Sequence, residues 1–463
     1  MMSRTLRFVL ALALLFYPAR AWAHAHLKRS EPAAGSRVTS SPRLIQLWFS
    51  ERPELSMTVI LLKDANGKEF ALTQPENDRG DPLTVSVGVS QPLPAGRYTV
   101  AWRTAASDGH PSHGTFSFVV LITAVAPPNG PVPQPGAVTD TTVSGNVTAA
   151  SSTEEENGEE ADAASSVSNS LARTFSFVGI LVLIGAISFR MLILPRATEI
   201  NTETRTRMER RAALLGLAAS VLVILGALVR INLESEMMSA MPGMQAMSMT
   251  DMAMHTKWGF ALRLELGAAL VALASFALAI RRLWSAWLVA TISAIVLAVT
   301  PALAGHAAAS PRFTTLMIAS DFLHVLGASS WLGSLFAVMM VGVPLAFALD
   351  GVERWSSVAS LVNSFSPLAL ASATVVIASG IIASWVHLEH LSALWQTTYG
   401  QVLLVKLFLV VVTLMIGAYN FRRVQPQLVN EVGSARLRRS AVIELSVGLL
   451  ILLVTGFLTG ISP

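Results

Sequence analysis

The sequence predicts two folded parts of opposite character. One is an exported all-β domain, an Ig-like Greek-key sandwich; the other is an all-α polytopic membrane domain of about eight transmembrane helices, and a disordered linker joins them. Three observations predict this. Of the 463 residues, 52% are hydrophobic and only 13% are charged, which is too apolar a balance for a wholly soluble chain. The apolar residues before position 121 fall in short runs rich in β-branched and aromatic types, whereas from Ala172 onward they form stretches long enough to cross a bilayer. Between the two lies a segment of Pro, Gly, Ser, Thr and Ala in which no apolar periodicity survives.

The chain opens with Arg4 and Arg7, the apolar run from Phe8 to Phe16, and Ala21-Trp22-Ala23. These are the basic, apolar and cleavage regions of a secretory signal peptide, so residues 1–23 are expected to be removed. Cleavage after Ala25 fits the same pattern and would leave His26, not His24, as the first residue. In the exported domain, residues 24–121, the runs Leu44 to Phe49, Thr58 to Leu62, Leu83 to Val87, Arg97 to Arg103 and Thr115 to Val120 read as strands. Asn66-Gly67, Pro94-Ala95-Gly96 and Asp108-Gly109 separate them as turns. Trp48, Phe49, Trp102, Phe116 and Phe118 are then residues of the core or of a sheet face.

The chemistry concentrates at Ser107 to Gly114, Ser-Asp-Gly-His-Pro-Ser-His-Gly, which puts Asp108, His110 and His113 in one polar turn. The same residue types also make an ordinary turn. What favours a metal is the far end of the domain. An amino-terminal His24 chelates through its α-amine and Nδ1, offering two nitrogens in the planar arrangement that Cu(II) prefers, and His110 and Asp108 would add a nitrogen and an oxygen. Amine and imidazole bind only when deprotonated, so affinity is expected to fall below about pH 7 to 8. His26 and His113 are auxiliary ligands or solvated side chains. The chain has no cysteine, so disulfides and thiolate metal sites are excluded, and any soft Cu(I) ligand must be Met or His.

His24-Ala25-His26-Leu27, Ser30-Glu31-Pro32-Ala33, Trp48-Phe49-Ser50, Leu93-Pro94-Ala95-Gly96-Arg97-Tyr98, Ser107-Asp108-Gly109-His110-Pro111 and Gly114-Thr115-Phe116-Ser117-Phe118 together resemble the periplasmic copper-binding protein CopC. The resemblance covers nearly the whole exported domain. It implies a small β-sandwich whose Cu(II) ligands are His24, Asp108 and His110. Some members add a Met-rich loop for Cu(I); here only Met57 is present, so Cu(I) would be handled elsewhere.

Residues 122–170 form the linker, with an acidic run at Glu154, Glu155, Glu156, Glu159, Glu160 and Asp162. Such a composition buries too little surface to offset its ordering entropy and reads as a tether that raises the local concentration of the exported domain near the membrane.

In the membrane domain, residues 171–463, apolar stretches recur at about 172–194, 212–231, 257–280, 284–304, 313–347, 364–386, 400–421 and 441–461. Arginines cluster after the first, third, fifth and seventh of these, which places those loops in the cytoplasm and the alternate loops on the side of the exported domain. Potential ligands follow this sidedness. The outward loop after the second span carries Met237, Met238, Met241, Met244, Met247, Met249, Met252 and Met254 and ends in His255; His306, His387 and His390 also lie at outer ends. Thioether clusters bind soft Cu(I), and Met placed among Ser, Pro, Gly and Asp has no core to fill. Within the spans, Arg263, Glu265, Asp321, His324 and Lys406 are ionisable groups that mark a polar pathway or a set of structural ion pairs, and Glu444 lies nearer the cytoplasm.

His324-Val325-Leu326-Gly327 with Trp331-Leu332-Gly333, Gly305-His306-Ala307, Tyr399-Gly400, Lys406 and Ala418-Tyr419-Asn420 resemble the CopD family of copper-resistance membrane proteins. That resemblance implies copper handling at a bacterial inner membrane, with the CopC-like domain in the periplasm and copper taken inward. The expected partners are copper ion, the lipid bilayer and other periplasmic copper proteins. A net charge of +4 with no basic tail gives no nucleic-acid footprint, and no phosphate loop points to ATP. A non-enzymatic copper carrier is therefore expected. The rivals are a copper buffer or sensor on a passive anchor, a haem-containing cupric reductase and a copper oxygenase.

Overall fold

The computed structural model describes residues 27–78, 80–105, 111–121, 152–239, 249–309, 313–388, 390–428 and 431–460. Its amino-terminal part is a sandwich of nine strands: β1 (Leu27–Glu31), β2 (Arg37–Val38), β3 (Leu44–Phe49), β4 (Val59–Asp64), β5 (Glu69–Phe70), β6 (Glu76–Asn77), β7 (Thr84–Gly88), β8 (Gly96–Ala105) and β9 (Pro111–Val120). One sheet has the order β1-β3-β7-β6 and the other β2-β9-β8-β4-β5, with β2 parallel to β9 and all other pairs antiparallel.

Alternation along β3 explains the core. Ile45, Leu47 and Phe49 point inward and are buried, while Trp48 lies on the outer face under the Arg29 guanidinium, 4.2 Å from its ring centre. Opposite them, Phe49 meets Trp102 edge to face at 5.2 Å, and Tyr98 closes the far end with its hydroxyl donating to the Pro94 carbonyl at 2.8 Å. Gly114 sits across from Trp102, and a Cβ there would fall 2.8 Å from the indole, so only glycine admits the ring over β9.

Among the described residues, eight helices are long and apolar enough to cross a membrane. They are α1 (Ser152–Ser188), α2 (Thr202–Ser239), α3 (Lys257–Ile280), α4 (Ser285–Leu303), α5 (Thr314–Ala328, continued in further helical turns to Phe347), α6 (Gly351–His387), α7 (Thr398–Tyr419) and α8 (Glu431–Leu458). Helix α1 begins at Ser152, inside the stretch expected to be a tether. The sequence of its first turns is rich in Glu and Ala, residue types that favour helix. Residues 122–151 of that stretch lie outside the described residues. Many large apolar side chains of the spans are exposed, among them Leu225, Phe260, Leu270, Leu370 and Met415. That is the surface a bilayer covers.

The bundle is drawn together by small residues. Gly185 of α1 lies against the backbone of Gly333, and Gly333 in turn lies against the Leu181 carbonyl, so α1 and the α5 region touch main chain to main chain. Gly333 ends a π-helical turn, Ser329–Gly333, and a second wide turn follows at Val338–Gly342. These turns rotate the side chains that precede and follow them relative to a regular helix.

Candidate metal centre

Residues 24–26 and 106–110 lie outside the described residues, and with them His24, His26, Asp108 and His110. The structure does describe what brackets the second segment. Ala105 and Pro111 pair across β8 and β9, and His113 stands exposed on β9 opposite Arg103. Arg103 is buried, at 5% exposure, and burial lowers the pKa of its guanidinium from the ordinary value.

The end of β8 is tied to the turn before β4. The Glu54 amide donates to the Ala105 carbonyl at 2.8 Å, the Thr58 hydroxyl donates to the Glu54 carbonyl at 2.8 Å, and the Thr58 and Thr104 hydroxyls meet at 2.7 Å. This braced corner presents Met57, only 1% exposed, to the membrane domain. Met57 and Ala105 form one buried cluster with Ala227 of α2 and Trp258 and Leu262 of α3. The sandwich is thus seated on the outer ends of α2 and α3 by Met57 and by Ala105 at the end of β8. Met57, which the sequence offers only as a solitary thioether, is a docking residue.

Beside this junction is a cavity of about 350 Å³ lined by Glu54, Met254, His255, Thr256, Lys257, Phe260, Leu303 and Ala308. Met254 and His255 come from a short helix, Met249–His255, and Thr256 then caps α3 by accepting from the Gly259 amide. Met241, Met244 and Met247 lie outside the described residues; Met249 and His306 begin short helices, and their side chains are likewise outside the description. Arg263 is exposed, and its guanidinium turns back to the Met254 carbonyl at 3.2 Å and Sδ at 3.0 Å.

Glu265, two residues on, points the other way. It is 2% exposed and pairs with Arg230 of α2 at 3.0 Å. A second buried pair, Arg173 of α1 with Glu234 of α2 at 3.7 Å, lies at the same end of the bundle, and Arg173 also donates to the Thr459 carbonyl at 2.9 Å. Arg173, Arg230 and Glu234 are not among the residues singled out from sequence, although the four-residue spacing of Arg230 and Glu234 inside an apolar run is a visible signal.

Elsewhere in the bundle, α5 meets α6 and α7 at a polar cluster. His324 Nδ1 lies 3.0 Å from the Ser379 hydroxyl of α6, and that hydroxyl donates to the Val375 carbonyl at 2.7 Å. A hydroxyl has one proton; when Ser379 gives it to Val375, Nδ1 is the donor in the first contact and His324 Nε2 keeps its lone pair. Asp321 is near enough to interact electrostatically with Lys406 and Tyr399 of α7, and Lys406 with His324. The structure therefore brings Asp321, His324 and Lys406 together, and places Arg263 and Glu265 elsewhere. One to two turns further along, Trp331 Nε1 donates to Glu444 Oε1 of α8 at 3.2 Å, and Asn420 Nδ2 donates to Oε2 at 3.0 Å. Glu444 is thus held as a buried, doubly hydrogen-bonded group. Among the described residues, no three His, Asp or Glu side chains converge as a preformed metal cage.

The comparisons with known proteins follow the same division. Residues 27–121 match the CopC domain, 164–311 the copper resistance protein D-like N-terminal domain, and 359–458 copper resistance protein D. Copper resistance protein C of Pseudomonas syringae pv. tomato is 34% identical over 26% of this chain and 98% of its own length. The chain belongs to the copper-resistance family, as a fusion of CopC and CopD. Copper transport protein CutJ of Bacillus subtilis is similar to this fusion from end to end, at 25% identity over 98% of this chain and 77% of its own. The crystal structure of CopC from Methylosinus trichosporium OB3b is 28% identical over 22% of this chain and 96% of its own, with a TM-score of 0.21. In the CopC–CopD fusion, His324 and Trp331 fall in residues 312–358, between the two matches to the membrane families.

Proposed function

We propose that the CopC domain of this fusion binds Cu(II) on the periplasmic side through His24, Asp108 and His110, and hands copper to a membrane domain that conducts it inward. The observation that carries the reading is the seating of the sandwich. Ala105, at the end of β8, is buried in the same cluster as Trp258 and Leu262 of the membrane domain. A copper-binding domain held against the outer ends of α2 and α3 has a short route to the ligands of the membrane domain.

Polar groups continue from the mouth into the spans: Met254 and His255 line the cavity, and the pairs Arg230–Glu265 and Arg173–Glu234 and the group of Asp321, His324 and Lys406 lie within the helices. Ionisable groups inside a membrane domain are costly and mark a route when they face one another rather than lipid. His324 Nε2, the imidazole nitrogen left free by the Ser379 contact, is the ligand offered to copper along that route. The arginines that follow α1, α3 and α7 put the far side in the cytoplasm.

The binding step rests on the free amine of His24. Acetylating that amine turns it into an amide and removes the amine–imidazole chelate without supplying a new amine. Cu(II) affinity of the processed protein is expected to fall about tenfold to a hundredfold, measured by competition with a calibrated chelator. Equal affinity with and without the acetyl group would remove this site. The transport step is tested by radiocopper flux into sealed vesicles of known orientation. Absence of flux with Cu(II) binding intact would leave a membrane-anchored copper buffer.

A further inference from the structure

We propose that the cavity between the sandwich and the membrane domain is a relay site for a soft monovalent cation, Cu(I) in class, held by the Met254 thioether, the His255 imidazole and the Glu54 carboxylate. This deepens the transport reading and rests on it. Its new element is a ligand from each domain, so that the site exists only while the sandwich is seated.

Glu54 supplies the first argument. Its Oε1 accepts from the Ser56 hydroxyl at 3.3 Å, while its Oε2 is buried without a hydrogen-bond partner among the described residues. A carboxylate oxygen withdrawn from water and left unmatched is unfavourable, and a bound cation offsets that. Nor can Glu54 swing freely. Its amide and carbonyl are fixed by Ala105, Thr58 and Met57, so its side chain emerges from a rigid corner.

The donor set supplies the second. Hard cations require a shell of oxygens, which one carboxylate does not provide, whereas thioether and imidazole suit Cu(I). The Arg263 contact at 3.0 Å holds the Met254 sulfur in place and uses one of its two lone pairs. Local charge then selects against a divalent ion. Among the described residues Glu54 is the one anion lining the cavity, with Lys257 on its wall and Arg263 behind Met254, and both cations are exposed to water. A site with one negative charge facing two positive ones holds a monovalent ion weakly, which suits passage better than storage. Phe260, Leu303 and Ala308 make the opposite wall apolar.

The test uses the full-length protein in nanodiscs, labelled at the methionine methyl carbons, with Ag(I) as a redox-inert probe. The Met254 methyl signal, identified by its absence in Met254→Leu, is expected to shift with the first equivalents of Ag(I). Glu54→Gln and His255→Gln are each expected to weaken that response about tenfold, and Met254→Leu to remove one bound Ag(I). The Met57 methyl, which shares a buried cluster with Trp258, keeps its shift if the sandwich remains seated, so a folding or docking failure is seen directly. A Met254 signal that stays still while other methionine signals move, or one that responds equally in Glu54→Gln with Met57 unchanged, overturns the proposal. Flux lost with the Met254 response intact counts against transport alone; flux intact with Met254 unresponsive counts against the relay alone.

Discussion

Gly185→Leu is expected to leave the membrane domain unfolded or aggregated, with no copper flux. A Cβ at Gly185 would fall within bonding-like distance of the Gly333 carbonyl group, and a Cβ at Gly333 would do the same with the Leu181 carbonyl. Neither clash involves a side chain that could rotate away. The helices would have to part, and parting them opens the packing of Leu181, Trp331, Leu332 and Ala373, which form one buried cluster at this crossing. Overpacking against a mobile side chain costs about 1–3 kcal/mol; a backbone-to-backbone clash at the centre of the bundle is expected to exceed about 3 kcal/mol. The crossing also sets the wide turn from which Trp331 reaches Glu444, so the loss would extend to α8. Gly267→Leu is the control, because a Cβ there meets nothing within 4 Å. Size-exclusion profiles and thermal unfolding in detergent distinguish the two variants. A monodisperse Gly185→Leu protein with wild-type melting would show that the close approach is dispensable.

How much of this was visible in the chain itself depends on which force makes each feature. The eight spans are legible because a bilayer demands about twenty apolar residues in a row, and nothing else in the sequence imitates that. The main strands are legible for a similar reason, since Ile45, Leu47 and Phe49 alternate with more exposed neighbours. Short edges such as β2, β5 and β6 carry no pattern of their own in two residues, and exist because a longer strand offers them its free backbone groups. The junction was hidden for a different reason. Met57 is a docking residue only because the tertiary fold brings Trp258 to it, and no spacing in the sequence connects position 57 with position 258. Some of the pathway was open to a closer reading: Arg263 and Glu265 are two apart on a helix, about 200° around its axis, so the two could not both face the bundle. The structure turns Glu265 inward to Arg230 and leaves Arg263 at the surface.

His324→Ala is expected to lower copper flux into oriented vesicles by more than about a hundredfold while leaving Cu(II) binding by the sandwich unchanged, since loss of one good ligand in a site of few ligands removes several kcal/mol of metal affinity. The side chain packs over Gly380, 3.6 Å from where a Cβ would stand, so removing the imidazole leaves space rather than strain, and the bundle is expected to stay folded. Ser379→Ala separates the ligand role from simple packing. It removes the acceptor at 3.0 Å that keeps the Nδ1 proton in place, so either ring nitrogen can then carry the proton, and flux should fall about tenfold, the size usual for loss of a group that orients a ligand. His324→Gln fills the volume without an imidazole nitrogen and should resemble His324→Ala. If His324→Gln restores flux, the residue fills space and does not bind the ion. If Ser379→Ala matches the wild type while His324→Ala is inactive, the imidazole acts without its tautomer being fixed, and the free Nε2 deduced from the Ser379–Val375 hydrogen bond would not be what conducts copper.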